Sequence, residues 1–249
     1  MRNQPVFFKK VCNIATFLLL MGLAITGRAA AYDFFYWERG ATGHESALYG
    51  AELSEKPLIL YFHIPGKGWS EKLNNTYLAS EKIEDFLLEM YKVEINPDSG
   101  EEEMALSSKY GVTRYPAFLV SIPAFKTEPE RVHPFAKEKD MSVDDFLLAI
   151  KGRIAHILSK KAFASFESKA YEVSLKYYKL ALDYDPKSFY VYFSMGMAHE
   201  KIGVEKESIE SLLDAETTFL KALEIDPNHK DTKAALENVR KNIAILRER

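Results

Sequence analysis

The chain has a single cysteine, Cys12, and that residue lies inside a stretch with the marks of an export leader. Arg2, Lys9 and Lys10 precede an apolar core from about Ile14 to Ile25, and Gly27-Arg28-Ala29-Ala30-Ala31 offers small residues for cleavage after Ala31. The apolar run falls short of the roughly 20 residues that cross a bilayer. Residues 1–31 are therefore expected to be a signal peptide that is removed, leaving no stable membrane insertion and a periplasmic protein. A mature chain without cysteine has no disulfides and no thiol chemistry, although an oxidising compartment would permit both.

An excess of positive charge is also missing. The leader holds four basic residues and no acidic ones, so removing it leaves 29 Lys and Arg against 36 Asp and Glu, a formal charge of -7. Binding to phosphate backbones needs concentrated Lys and Arg, which argues against nucleic acid as a partner. The six histidines, His44, His63, His133, His156, His199 and His229, show no paired ligand spacing. No metal or other cofactor is expected. Asn74-Asn75-Thr76 is a nominal glycosylation triplet, relevant only in a eukaryotic secretory pathway.

Strands and helices alternate up to about residue 150. A helix is predicted over Glu45–Leu53, with Ala47, Leu48, Ala51 and Leu53 near one face. Pro57–Phe62 is short, branched and aromatic, as a buried strand is. Pro65-Gly66-Lys67-Gly68 then makes a turn, and Ser70 is placed to cap a helix reaching Leu78, with Glu71 in its first turn. A second helix follows Ser80, and Tyr91–Ile95 alternates as a strand does. Glu101–Tyr110 is helical, Tyr115–Val120 is a strand, and a further strand lies near Arg131–Phe135. A helix starts near Ser142 and runs through Ile157.

Beyond that point Tyr, Ala and Asp-Pro punctuation takes over. SLKYYKLALDYDP (Ser174–Pro186) aligns with AETTFLKALEIDP (Ala215–Pro227). Ser174, Ala181, Ala215 and Ala222 are small where two helices would have to approach closely, and Gly196 and Gly203 mark a crossing and a helix end. This pattern resembles tetratricopeptide repeats, stacked helix pairs of 34 residues, over about residues 155–245. Repeat one carries Lys161 where an apolar residue is usual. Repeat two has extra residues around Val204–Ser211, about two helical turns, which lengthens helices without rotating their faces. Two repeats are few for a free-standing stack, so support is expected from the helix at Ser142–Ile157 or from another subunit, a possible homo-oligomer.

Lys56–Ile150 resembles the thioredoxin fold. KPLILYFHIPGKGWSEKL (Lys56–Leu73) has the layout of that family's second strand, active-site turn and helix, and YGVTRYP (Tyr110–Pro116) that of its cis-proline loop. The expected architecture is an α/β domain over 32–152, a central mixed sheet with flanking helices, followed by an all-α helical-hairpin domain over 153–249. In the alignment, Lys67 and Ser70 stand where the family has its redox cysteines, with Gly68 and Trp69 between them. Neither an ammonium nor a hydroxyl can form a mixed disulfide, so oxidoreductase activity is not expected. Serine hydrolysis would need a histidine beside Ser70 and an orienting acid. His63 is near in sequence, but a strand-end histidine reads as packed or solvent-facing. The resemblance implies a cis Tyr115–Pro116 bond beside the turn, where extended polypeptide is held. It also implies a concave helical groove with Phe163, Phe166, Tyr190, Phe193 and Met197 as candidate lining. A binding scaffold or chaperone-like factor for protein or extended peptide is the expected function; the alternative is a non-redox enzyme using Lys67 or Ser70.

Overall fold

The structure is a computed structural model that describes residues 34, 36–135 and 140–249. The proposed leader lies outside the described residues. Five strands form one mixed sheet: β1 (Glu38–Arg39), β2 (Leu58–Phe62), β3 (Tyr91–Ile95), β4 (Ala117–Ser121) and β5 (Glu130–Val132), in the order β1-β3-β2-β4-β5. β1, β3 and β2 run parallel, while β4 and β5 are antiparallel to their neighbours. Every residue of β2 is buried, as a central strand covered on both faces requires.

Alternation along β2 builds two cores. Ile59 and Tyr61 point to one side with Phe118 and Val120; Leu58, Leu60 and Phe62 point to the other with Val93 and Leu119. Helix α1 (Gly40–Ser54) covers the second side through Ala47 and Ala51. Leu53, expected on its inner face, is instead 76% exposed. The first side is covered by α2 (Gly68–Leu73), a π turn (Asn74–Leu78), α3 (Glu81–Leu88) and the start of α5. Helix α4 (Glu101–Lys109) is capped by Tyr110 and followed by Gly111, whose φ of +61° suits glycine. β4 starts at Ala117 rather than Tyr115, and β5 ends at Val132, because Pro116 and Pro134 have no N–H for a ladder.

Helix α5 (Val143–Glu167) is longer than its sequence signal suggested and runs unbroken through residues 152 and 153, where the two domains were expected to divide. The Ser142 side chain caps it by accepting from Asp145 N–H at 3.1 Å. Phe146, Ile150 and Ile154, at i, i+4 and i+8, serve the sheet; Leu158, Ala162 and Ser165 are buried further along the helix. One helix thus closes the α/β layer and opens the helical stack. Tyr61, Phe146, Tyr178, Ala181 and Val191 consequently share one hydrophobic core.

The remaining helices are α6 (Tyr171–Tyr184), α7 (Phe189–Glu205), α8 (Ile209–Ile225) and α9 (Lys230–Arg247). They stack as pairs, with α9 closing on Leu236, Val239 and Ile243. Ser174, Ala181, Ala215 and Ala222 are all fully buried. A Cβ on Gly196 would meet the Phe219 ring at 2.6 Å, so only glycine permits that crossing. Gly203 does not end α7. It lies against Leu212, and the helix continues to Glu205. Lys161 is accommodated because its ammonium sits 5.5 Å from the Phe125 ring and 5.9 Å from that of Tyr177. The architecture is a thioredoxin-like α/β layer fused to tetratricopeptide-like helix pairs.

Candidate functional site

Two surfaces carry the residues that the sequence singles out. The first is the turn after β2. Register pairs Phe62 with Ala117, so the chain leaving β2 lies beside the Tyr115–Pro116 bond, which is cis. Pro65 to Trp69 are exposed, and Gly66 has a φ of +75° that favours glycine.

Ser70 does not cap α2, because the helix starts earlier and Lys67 occupies the cap position without a side-chain bond. Ser70 is fully buried inside the helix, and its Oγ accepts the Ile64 N–H at 3.3 Å. Other donors of the turn are also engaged. Lys67 N–H reaches Ile64 O at 3.2 Å, and Gly66 N–H reaches the Glu71 carboxylate at 3.0 Å. Beneath it, the Tyr61 hydroxyl donates to Asn74 Oδ1 at 2.7 Å; burial pushes that phenol far above its ordinary range, so it remains a donor. Asn74, the residue of the nominal glycosylation triplet, is buried. The Ser70 hydroxyl is therefore turned away from solvent, and the backbone donors of the turn mostly serve the turn itself.

His63 is packed. It is 3% exposed, stacks on Tyr61 at 4.7 Å between centroids, and pairs through Nε2 with Glu94 Oε2 at 2.6 Å. Arg39 Nε lies 3.4 Å from Glu94 Oε1, and Phe34 covers the imidazole at 5.1 Å. This cluster ties Phe34 and Trp37, both buried, to the sheet, whereas Tyr36 is exposed. No hydrogen bond joins His63 to Ser70 among the described residues: the imidazole is engaged by Glu94 and the Ser70 hydroxyl by the Ile64 N–H.

At the rim, Trp69 is 56% exposed and packs against Phe135 at 4.9 Å. Lys72 lies over both rings and pairs with Asp140.

The second surface is a groove of about 470 Å³ between α5 and α7. Phe163 and Tyr190 line it and are 55% and 78% exposed. The other three candidates lie elsewhere. Phe166, three residues on from Phe163 and so roughly 60° round the helix, packs on Tyr171 at 5.3 Å. Phe193 and Met197 are partly buried in the core of α8 and α9, Phe193 with its ring 6.0 Å from Phe219.

Sequence reading missed the polar lining of this groove: His156, Ser159 and Lys160 on α5, and Asp185, Ser188 and Ser194 on the other side. The signal was present, because His156, Ser159, Lys160 and Phe163 share one helical stripe. His156 and Lys160 converge on Glu130 of β5 at 2.8 and 3.2 Å. Burial opposes ionisation of Glu130, but the hydrogen bonds from His156 and Lys160 outweigh it and hold the carboxyl below its usual range. Among the described residues no cluster of three or more His, Cys, Asp or Glu could hold a metal, and no helix is long and apolar enough to cross a membrane.

No family model and no curated protein matches the chain. Solved structures similar to it include a thioredoxin from Thermus thermophilus, 18% identical over 46% of this chain and 85% of that one, with a TM-score of 0.36. Another is the DsbH oxidoreductase, 21% identical over 52% of this chain and 94% of that one, also at 0.36. A third is the first tetratricopeptide domain of Spaghetti (RPAP3) bound to the HSP90 peptide SRMEEVD, 16% identical over 37% of this chain and 95% of that one, at 0.22. The fold assignment rests on the sheet order, the cis-proline loop and the helix pairing described above.

Proposed function

We propose that this chain is an exported, non-catalytic scaffold of the cell envelope that holds extended polypeptide in the groove between α5 and α7. The observation that carries this reading is the pair of aromatic side chains, Phe163 and Tyr190, exposed by the fold on the two walls of one cleft. Covering such a side chain with a partner is worth roughly 1.5–3 kcal/mol, and the serines, lysine and carboxylate around the aromatics supply hydrogen bonds that orient a backbone. The turn at Gly66–Ser70 supports the non-catalytic part, because its serine is buried and spent on a backbone N–H.

Panning a phage-displayed random peptide library on the purified chain tests the groove. Selected peptides are expected to lose about tenfold or more in affinity for the Phe163→Ser/Tyr190→Ser variant. Affinities unchanged by that double substitution would refute the assignment. Insulin reduction at no more than the background rate is expected from the same preparation, and turnover would refute the non-redox reading.

A further inference from the structure

The structure points to a second docking surface, distinct from the groove: we propose that the outward face of α1 receives a basic, amphipathic segment of a partner protein. The helix is apolar on both sides, with its large and small residues sorted opposite to the usual pattern. Gly43, Ala47 and Ala51 are buried against the sheet. Gly50 lies so close to β3 that a Cβ there would stand 2.4 Å from the Tyr91 ring. Small residues let the helix lie tight on the strands, with Leu48 at the margin of the core, and Tyr49 and Leu53 are left outside.

Tyr49 and Leu53, one turn apart, are 71% and 76% exposed. Together with Ala124 they line a depression of about 380 Å³. An i, i+4 apolar pair over a shallow trough is the counterpart of a helix-in-groove contact.

Charge selects the occupant. The acidic residues lining the depression are Glu52 and Glu55. Glu55 is already paired with Lys176 at 3.1 Å, so the charge offered to a partner is that of Glu52, with Glu45 one turn before Tyr49 on the same exposed stripe. Helix α1 carries Glu45 and Glu52 and has no Lys or Arg in its 15 residues. Of the nearby cations, Lys176 is engaged by Glu55 at 3.1 Å and Lys56 by Glu89 at 3.6 Å, and Lys126 follows Ala124 by two residues in the chain. A segment with apolar residues on one side and Lys or Arg beside them matches this surface, whereas an anionic membrane would be repelled by it.

The test titrates the full chain against a fluorescein-labelled amphipathic helix of leucine and lysine, read by anisotropy, with its leucine–glutamate counterpart as the control. The basic peptide is expected to bind about tenfold or more tightly than the acidic one, and Tyr49→Ser/Leu53→Ser to weaken it by about tenfold. Glu52→Lys is expected to weaken it a few-fold at low salt and less at high salt. Because the substituted side chains are exposed, circular dichroism should show both variants folded. Phe163→Ser/Tyr190→Ser, which tests the groove, should leave this binding unchanged.

Equal binding of the two peptides, or binding indifferent to the Tyr49/Leu53 substitutions, overturns the proposal. So does a dimer in sedimentation that the double variant abolishes, which would make a second copy the occupant. Adsorption to phosphatidylglycerol vesicles that the double variant abolishes would do the same in favour of a membrane.

Discussion

The two halves of the molecule treat their exposed residues in opposite ways. In the sheet half, the turn at Gly66–Ser70 occupies the position from which a site would be expected, yet the polar atoms described there are largely satisfied within the turn, and Ser70 is sealed inside α2. In the helical half, Phe163 and Tyr190 are left in solvent on facing walls of one groove. A site position suggested by the fold thus says little by itself about where a protein acts. Atoms with unspent bonding capacity and uncovered apolar area are better guides, and here they favour the helices and the outer face of α1.

The comparison is physically meaningful only if the halves form one unit, because α5 belongs to both. The largest test is Phe146→Ala. Phe146 is fully buried on the sheet side of α5, with ring contacts to Tyr77 at 4.9 Å and Phe118 at 5.3 Å. The cavity is expected to cost about 3–5 kcal/mol. In urea, fluorescence of Trp37 and Trp69 reports on the sheet half, and far-ultraviolet circular dichroism is dominated by the helices. Coincident transitions in wild type and variant are expected; a helical half that keeps its wild-type midpoint would show that the halves unfold separately.

A smaller effect comes from one buried histidine in each half. Burial is the main cause that holds His44, and likewise His199, below the ordinary value of 6.5; Lys109 adds to it at His44, while Asp214 opposes it at His199. The unfolded chain therefore takes up protons near that pH that the native chain refuses. Stability present at neutral pH is lost as pH falls through 6.5 and below, toward the depressed native values. A melting temperature a few degrees lower at about pH 5 than near neutrality is expected. His44→Gln and His199→Gln should each flatten part of that slope, and a slope unchanged by both would remove these histidines as its source.

The smallest effect is expected at the clasp between the halves. Glu55 accepts from Lys176 at 3.1 Å and from the Tyr177 hydroxyl at 3.3 Å, and it is about half exposed. Solvent screening limits such a pair to about 0.2–1 kcal/mol, so Glu55→Gln should shift the urea midpoint only slightly. A loss as large as that of Phe146→Ala would mean that the clasp, rather than the shared core, joins the halves.

Much of this was legible in the residues. The short, continuous apolar run of β2, the Asp-Pro punctuation and the recurring small residues at Ser174, Ala181, Ala215 and Ala222 point to their elements with little help from context, since each encodes a local geometry or a close approach. What the helices turn toward one another was less legible. Phe163 and Phe166 are both aromatic and three residues apart, and only the position of α6 decides that one is packed and the other left out.

The sequence alone determined that the turn holds no thiol, since the single cysteine is Cys12 and chemistry that needs a sulfur cannot be supplied by Lys67 or Ser70. It also determined which residues share a helical or strand face, because periodicity is a property of the chain. Only the tertiary structure decided which of those faces meets a neighbour. It joined α5 across the expected domain boundary, buried Ser70, and turned Leu53 outward, because Gly50 and Ala51 fit the sheet where a leucine could not. Steric fit between elements is set by all the packed partners at once, and no single segment of the chain carries that information.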